Sequence, residues 1–526
     1  MTKEIRMMKR PNVRRCLKTR NTAGLAVRNP KENRLAAYAT ICVAILVVAT
    51  SCSAQPADGY RAFKDNEGRT IRAKVLSGEG DKVTIERSDG KKFTVPISLF
   101  SQADQVYIKQ KLAGGSATAS GGETQFRGDA FGTSTAKGLP TTWSASENII
   151  WKTPLPGFGA SSPITFGDRI YLTCYSGFGL SQDSPGDQSN LKRHLVCLDR
   201  DSGQIPWDTP TASRAGVQPY RSYVGLHGYA SSTPVCDGER IYCFYGSSGA
   251  YAFDMNGKKL WDVELGKGTN GFGTGSSPVL VGDLLIVNAS VESRTLRGLD
   301  KKTGGEVWQA RGVDDSWGSP VVVDTGSRKE IIIDMKTHVK AFDARSGNEL
   351  WQCQGSTPPR YICPTPIVHG GMIYAIHGYS GPMSAIKPGG SGDVTNSHRQ
   401  WTRPKVISNV PSPVFSGGYI FSVRSEGGIV SCVDAKDGSI IYQKRLQKKD
   451  GGGINRLYAS PLAADGKIYF VSREEGAFVL EAGPEFKQLA HNQIADDRSI
   501  FNGSPVVSNG RLLLRSDKFL YCIGQK

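Results

Sequence analysis

The side chains here with the chemistry for catalysis or metal binding are eleven cysteines, seven histidines and an aspartate that recurs in one setting. That setting is D-x-x-[ST]-G-x-x-x-W or a close variant: Leu198 to Trp207 (LDRDSGQIPW), Ala252 to Trp261 (AFDMNGKKLW), Gly298 to Trp308 (GLDKKTGGEVW), Ala341 to Trp351 (AFDARSGNELW) and Cys432 to Tyr442 (CVDAKDGSIIY). A lone acid beside a Trp could serve acid–base work or ligate a cation. Regular recurrence argues instead that Asp343 and its counterparts cap a hairpin turn, with Gly347 supplying the backbone freedom. The histidines form no H-x-H or H-E-x-x-H pattern, the cysteines form no C-x-x-C pair, and no metal site is expected. A G-x-S-x-G elbow is absent too: Gly273-Thr274-Gly275-Ser276-Ser277 is a Gly/Ser loop before a strand. No catalytic residue is assigned.

The elements that carry these hairpins repeat. A small residue, a Pro and an apolar strand recur with prolines at 163, 234, 278, 320, 366, 413, 461 and 505, so the chain holds eight units of four short strands. The first interval, 71 residues against 42 to 48 for the others, carries an insertion. The expected fold is all-β, an eight-bladed β-propeller preceded by a small barrel module. The last unit lacks its outer strand, which Asn148 to Leu155 can supply, so that Trp151 stands in for the missing repeat Trp and the ring closes. Trp151, Trp207, Trp261, Trp308, Trp351 and Trp401 are then structural blade anchors.

Composition bounds the partners. The formal charge is +17, but eleven Lys or Arg against two Glu lie in Met1 to Arg34, and no basic stripe follows, so nucleic acid is not expected. Leu35 to Thr50 is an uncharged apolar run after that basic leader, the pattern of an export signal; residues 1–54 form the leader, and residues 35–50 could remain as an anchor. Cleavage near Ala54 and lipidation of Cys52 are both open. The chain is expected to be exported, periplasmic or in the cell envelope, to touch membrane only through this segment, and to be a monomer. Eight cysteines lie in the repeats, where Cys236 with Cys243 and Cys353 with Cys363 are close enough in sequence for one or two disulfides, or are buried small residues.

Residues 59–112 read as a separate module of alternating strands, closed by a short helix that Ser101 can cap and Asp104 can support. Its FKDNEGRTIRAKV and KVTIERSDGKKFTVPISLFSQADQVYI resemble the first homology domain of the yeast endocytic adaptor Sla (SHD1), an SH3-like barrel. The resemblance implies protein binding, including cytoskeletal or ubiquitin-linked partners. Residues 113–140 are a flexible linker and lead-in, AGGSATASGGET being too polar and small to bury a core, and residues 141–526 hold the propeller.

The D-x-x-[ST]-G-x-x-x-W hairpins resemble the pyrroloquinoline-quinone (PQQ) propeller repeat shared by quinoprotein alcohol dehydrogenases and the envelope assembly lipoprotein BamB. QFRGDAFG, LPTTWS and NIIWKTPLPGFGASSPI are similar to exported PQQ-like proteins of planctomycetes. Dehydrogenases of that class carry adjacent cysteines under the cofactor and a calcium on acidic and amide ligands. Here no Cys-Cys pair exists, so no cofactor is expected and PQQ itself lacks support. The loops entering the inner strands should converge on one mouth of the channel. Tyr223, His227, Phe272, Trp317, Arg360, Asn409, Arg456 and Phe501 are the candidate ligand-binding residues there, suited to a protein partner or a glycan. The expected function is a non-catalytic exported scaffold. The alternatives are a PQQ-dependent quinoprotein-like oxidoreductase and a BamB-like envelope assembly factor.

Overall fold

The structure, a computed structural model, describes residues 61–525 except 67, 88, 102–103, 106–107, 109–122, 130, 215, 315, 359, 380 and 407. The leader, the export signal and Cys52 lie outside the described residues.

Arg61–Lys64, Thr70–Glu79, Lys82–Arg87 and Lys92–Pro96 form a four-stranded antiparallel meander. Alternation puts Phe63, Ala73, Val83 and Ile85 on one face, and Ile97, Phe100 and Ile108 complete that core. Ser101 Oγ and the Asp104 carboxylate bond each other, while the Asp104 N–H donates to Ser101 Oγ and the Lys64 N–H to Asp104. The expected cap therefore also ties the helix start to the first strand.

Eight further sheets follow, each with a four-stranded antiparallel core, as in a β-propeller. Blade 1 runs from Ile164–Phe166, its inner strand, to Trp207–Ala212, its outer one; blades 2 to 7 repeat the pattern in chain order. Blade 8 is built from both ends of the propeller sequence. Ile149–Pro154 pairs antiparallel with Phe519–Ile523, placing Trp151 opposite Cys522. Two sheets gain a fifth, parallel strand: Gly392–Asp393 on blade 4 and Thr133–Ser134 on blade 7.

The repeated hairpin explains how neighbouring blades are joined. Asp343 Oδ1 accepts from the N–H groups of Arg345 and Ser346 and from Ser346 Oγ, so the aspartate does cap its turn. Gly347, at φ +73°, takes the left-handed conformation there. It has a second task that the repeat pattern did not disclose. A Cβ on Gly347 would lie 2.3 Å from the ring of Trp308 in the preceding blade, so the turn is a flat platform on which that Trp lies. Trp308 Nε1 donates to the Ala344 carbonyl beside it at 3.2 Å. The same docking sets Trp151 on Gly203, Trp207 on Gly257, Trp261 on Gly304 and Trp401 on Gly438. Within its own sheet each Trp faces a small residue, such as Ala341 opposite Trp351 or Gly298 opposite Trp308, which leaves room for the indole.

Trp351 is the exception because blade 5 lacks the motif turn. Its Nε1 donates to the fully buried Glu330 carboxylate at 2.8 Å, which also holds Arg328 and the Gly389 N–H. The buried carboxylate thus replaces the missing carbonyl.

The eight described cysteines are free thiols, all buried except the partly buried Cys363, so of the two alternatives the buried small residue holds for both pairs and neither disulfide forms. Cys353 sits on the outer strand of blade 4 whereas Cys363 lines the axis, and Cys236 packs its sulfur against Met255. The linker is also shorter than expected. Glu123 and Thr124 already bond to the propeller, through Thr165 and the Cys236 N–H, and Leu139 and Trp143 are buried against blades 7 and 8.

Candidate functional site

The Ser or Thr before each marker proline faces the axis, and the eight make a belt. The backbone N–H of one donates to the hydroxyl of the next: Ser162 to Thr233, Thr233 to Ser277, Ser277 to Ser319, Ser319 to Thr365, Thr365 to Ser412, Ser412 to Ser460 and Ser460 to Ser504, all at 2.9–3.0 Å. Only Ser or Thr places an acceptor there without filling the channel, which is why the marker is small and hydroxylated. At the seam between blades 8 and 1 the hydroxyl of Ser162 is buried without a partner. Fully buried Arg515 bridges that seam instead, donating to the Ser161 carbonyl at 2.9 Å and to its hydroxyl.

Above the belt lies a cavity of about 170 Å³. Its lip is aromatic. Tyr223 stacks on Phe272 with centroids 4.6 Å apart, Phe272 meets Trp317 edge-on at 5.4 Å, and Tyr361 closes against both. Tyr223 and Tyr361 keep 48% and 50% of their surface open, so the cluster is rigid yet presents apolar area outward. Trp317 Nε1 is anchored on the Gly273 carbonyl at 2.8 Å.

His227 ends the short helix Val224–His227 in the insertion between blades 1 and 2. Its Nε2 bonds the Phe272 carbonyl at 2.8 Å and its Nδ1 the Ser231 hydroxyl at 2.6 Å. A carbonyl only accepts, so Nε2 carries the proton and Nδ1 receives one from Ser231. Burial lowers its pKa, so the ring is neutral and has no lone pair free for a substrate. Cys363, also in the lining, has its thiol pushed up to about 12 by burial and is no nucleophile at neutral pH.

A strap runs across the inner strands. Residues 123–134 cross from the inner strands of blades 1 and 2 to those of blades 7 and 6. The Glu123 carbonyl accepts from Thr165, Thr124 from Cys236 and Gly132 from Ala463, while Thr133 Oγ1 donates to the Phe415 carbonyl. Phe126 lines the cavity from this strap. Within the strap, burial raises Glu123 to about 7 and lowers Arg127 to about 9.

Of the eight candidate residues, the structure brings Tyr223, His227, Phe272 and Trp317 together around this cavity. The other four do not line it. Val410, Tyr458 and Asn502 reach it in place of Asn409, Arg456 and Phe501. Asn409 turns to Glu426 at 2.7 Å, Phe501 enters the core of blades 7 and 8, and Arg360 bonds the Tyr379 carbonyl at 2.7 Å. Arg473 stands behind the lining, over the Tyr458 ring and bonded to Asn502 at 2.9 Å.

Two Ser–His–Asp relays also form. His377 joins Asp334 at 3.2 Å and Ser384 at 3.0 Å, and His194 joins Asp208 at 3.0 Å and Ser176 at 2.8 Å. The first is fully buried and staples blade 4 to blade 5; neither lines the axial cavity. Their members come from different strands or blades, so no motif in the sequence announces them.

A cavity lined by hydroxyls and aromatics without carboxylate, Lys or Arg suits binding, and known relatives fit the fold around it. Residues 191–444 match the family model described as "Outer membrane protein assembly factor BamB". The match covers just under half of the chain, and with the eight four-stranded sheets it marks a β-propeller fold similar to that of PQQ-like and BamB-like repeat proteins. Among solved structures it is similar to BamB from Moraxella catarrhalis, with a TM-score of 0.51 and 17% identity over 72% of this chain and 97% of that one. It is also similar to a europium-containing methanol dehydrogenase, with a TM-score of 0.56 and 12% identity over 76% and 91%. A curated relative is the tetrathionate hydrolase of Acidithiobacillus ferrooxidans, 22% identical over 304 residues, 49% of this chain. The chain spans 56% of that relative's length.

The quinone of such dehydrogenases does not fit the cavity. A tricarboxylated, three-ring quinone needs cations for its carboxylates and oxygen ligands for its metal. The lining offers neither Lys nor Arg, and among the described residues no cluster of three His, Cys, Asp or Glu could hold an ion. The cavity is close in volume to the roughly 150 Å³ engineered void that admits one benzene ring.

Proposed function

We propose that this chain is an exported, non-catalytic binding protein whose propeller mouth receives a side chain or short segment of a protein partner, with a glycan as the competing occupant. The observation that carries the reading is the mouth itself: rigid, half-exposed Tyr223 and Tyr361 beside a ring-sized cavity of hydroxyls, in which His227 has no free lone pair. Aromatic anchors over a small pocket are what binding hot spots use. The small N-terminal sheet, read as an SH3-like homology module, adds a second contact, and linkage raises avidity when both engage one assembly. The protein acts as a monomer in the periplasm or cell envelope, whether the signal segment is cleaved near Ala54, kept as an anchor at residues 35–50 or replaced by a lipid on Cys52.

The test is direct. Purified protein supplied with PQQ and calcium should not reduce an artificial electron acceptor in the presence of alcohols or sugars. Substrate-dependent reduction would overturn the scaffold reading in favour of a quinoprotein-like oxidoreductase.

A BamB-like part in envelope assembly is the second reading, favoured by the family match over residues 191–444. It needs a membrane anchor, so a mass spectrum showing Cys52 cut away with the signal segment would remove it.

A further inference from the structure

The insertion between blades 1 and 2 roofs a second, smaller cavity of about 40 Å³, enough for a few water-sized groups. It shares only Ser231 with the axial cavity. Arg193, on the third strand of blade 1, lines it. The side chain is 3% exposed, and its Nε and Nη1 have no hydrogen-bond partner.

Nothing around Arg193 balances its charge. No Asp or Glu lines the cavity. Of the carboxylates on neighbouring elements, Asp208 is engaged with His194 and Asp262 with Arg214 and Lys259, while Glu292 accepts from Thr274 of the lining and is favoured in its protonated form by burial, which raises its pKa to about 7. Four tyrosines face the guanidinium, and Tyr229 lies under it with the ring centroid 5.1 Å from Cζ. Burial raises the pKa of all four, Tyr175, Tyr229, Tyr245 and Tyr251, so none supplies an anion. Burial lowers Arg193 to about 10, which still leaves it charged at neutral pH.

A buried guanidinium with open donors and no counter-charge is costly unless something negative fills the space it faces. Asn270, also in the lining, accepts from the Phe272 N–H through its oxygen, which leaves its NH2 end as a further donor. The site is therefore donor-rich and small.

We propose that this cavity binds a small anion, a halide or a carboxylate, held by the guanidinium of Arg193. The bound ion locks the insertion onto blades 1 to 3, and so holds the loop that carries Tyr223 and His227.

The full-length protein in sodium gluconate, an anion too large for the cavity, is titrated at constant ionic strength with sodium bromide or sodium formate while Tm is read by calorimetry. We expect a saturable rise in the native protein with at least one of them. Bromide alone marks an inorganic-ion site, and formate alone a carboxylate site. Arg193→Met should show no rise and should melt higher than the native protein in gluconate, because it no longer buries an unpaired charge. An unsaturable response, or the same response in both proteins, overturns the proposal. Should the variant fail to fold, bromide-soaked crystals of the native protein decide: an anomalous peak in this cavity beside the Arg193 guanidinium supports the site, and none at saturating bromide rejects it.

Discussion

Glu292 shows how a single buried acid leaves a signature in bulk stability. It lies 4% exposed in blade 3, accepts from Thr274 Oγ1, and has its other oxygen unpaired. Burial raises its pKa to about 7. The native state therefore holds a proton that the unfolded chain releases near the ordinary value of 4.5. Its stabilising effect is complete below that value and is lost as pH climbs to about 7. Glu292→Gln, neutral at every pH, should gain on the order of 3 kcal/mol over the native protein at pH 8 and little at pH 5. Urea unfolding of both proteins at the two pH values checks this; an equal difference at both would contradict it. The candidate-site residues show how far sequence reads at this scale. The small-residue-Pro marker located the mouth loops, and Tyr223, His227, Phe272 and Trp317 do line the cavity. It could not say which residue of a loop turns inward, so Asn409, Arg456 and Phe501 each lie one or two positions from the residue that does. Arg193 gave no signal, because a lone Arg in an apolar strand looks like any other until its counter-charge is found missing.

At the scale of elements, the hairpin was legible as a turn carrying a Trp that anchors the blades, while the glycine's part in receiving that Trp was not. Asp343 and Gly347 read as turn residues from their types. That Gly347 also bears the Trp of the preceding blade is a contact between repeats, which spacing within one repeat cannot show. The two roles separate by experiment. Gly347→Ala meets both left-handed strain and the Trp308 ring at 2.3 Å, whereas Gly326→Ala, at φ +82°, meets strain with nothing within 4 Å. The first should cost roughly 2–4 kcal/mol and the second about 1 kcal/mol. Thermal unfolding of the pair tests it; equal costs would mean that the platform contributes nothing. The strap of residues 123–134 escaped for another reason. Its aperiodic sequence directly follows the Gly-rich linker and looks like its continuation, and only hydrogen bonds to four different blades distinguish the two.

Across the whole molecule, the ring is closed by parts that come from opposite ends of the propeller. Trp151 lies on Gly203 of blade 1 and donates to the Arg200 carbonyl at 3.2 Å, while its own strand completes blade 8. The missing outer strand of the last repeat made this closure readable in advance, because an unpaired edge has to be satisfied somewhere. Loops converge at one end of the axis, where Tyr223, Tyr361 and Trp317 form the aromatic lip, and the strap crosses the inner strands beside the same cavity. The central claim is that this mouth, and not the blade edges, is the working surface. It is tested by placing a photo-crosslinking amino acid at Tyr361 and, separately, at Leu260, which is exposed on the outer strand of blade 2, in the cells that produce the protein. A discrete protein or glycan adduct should form from position 361 and not from 260; adducts from 260 alone, or none from 361, would contradict the account.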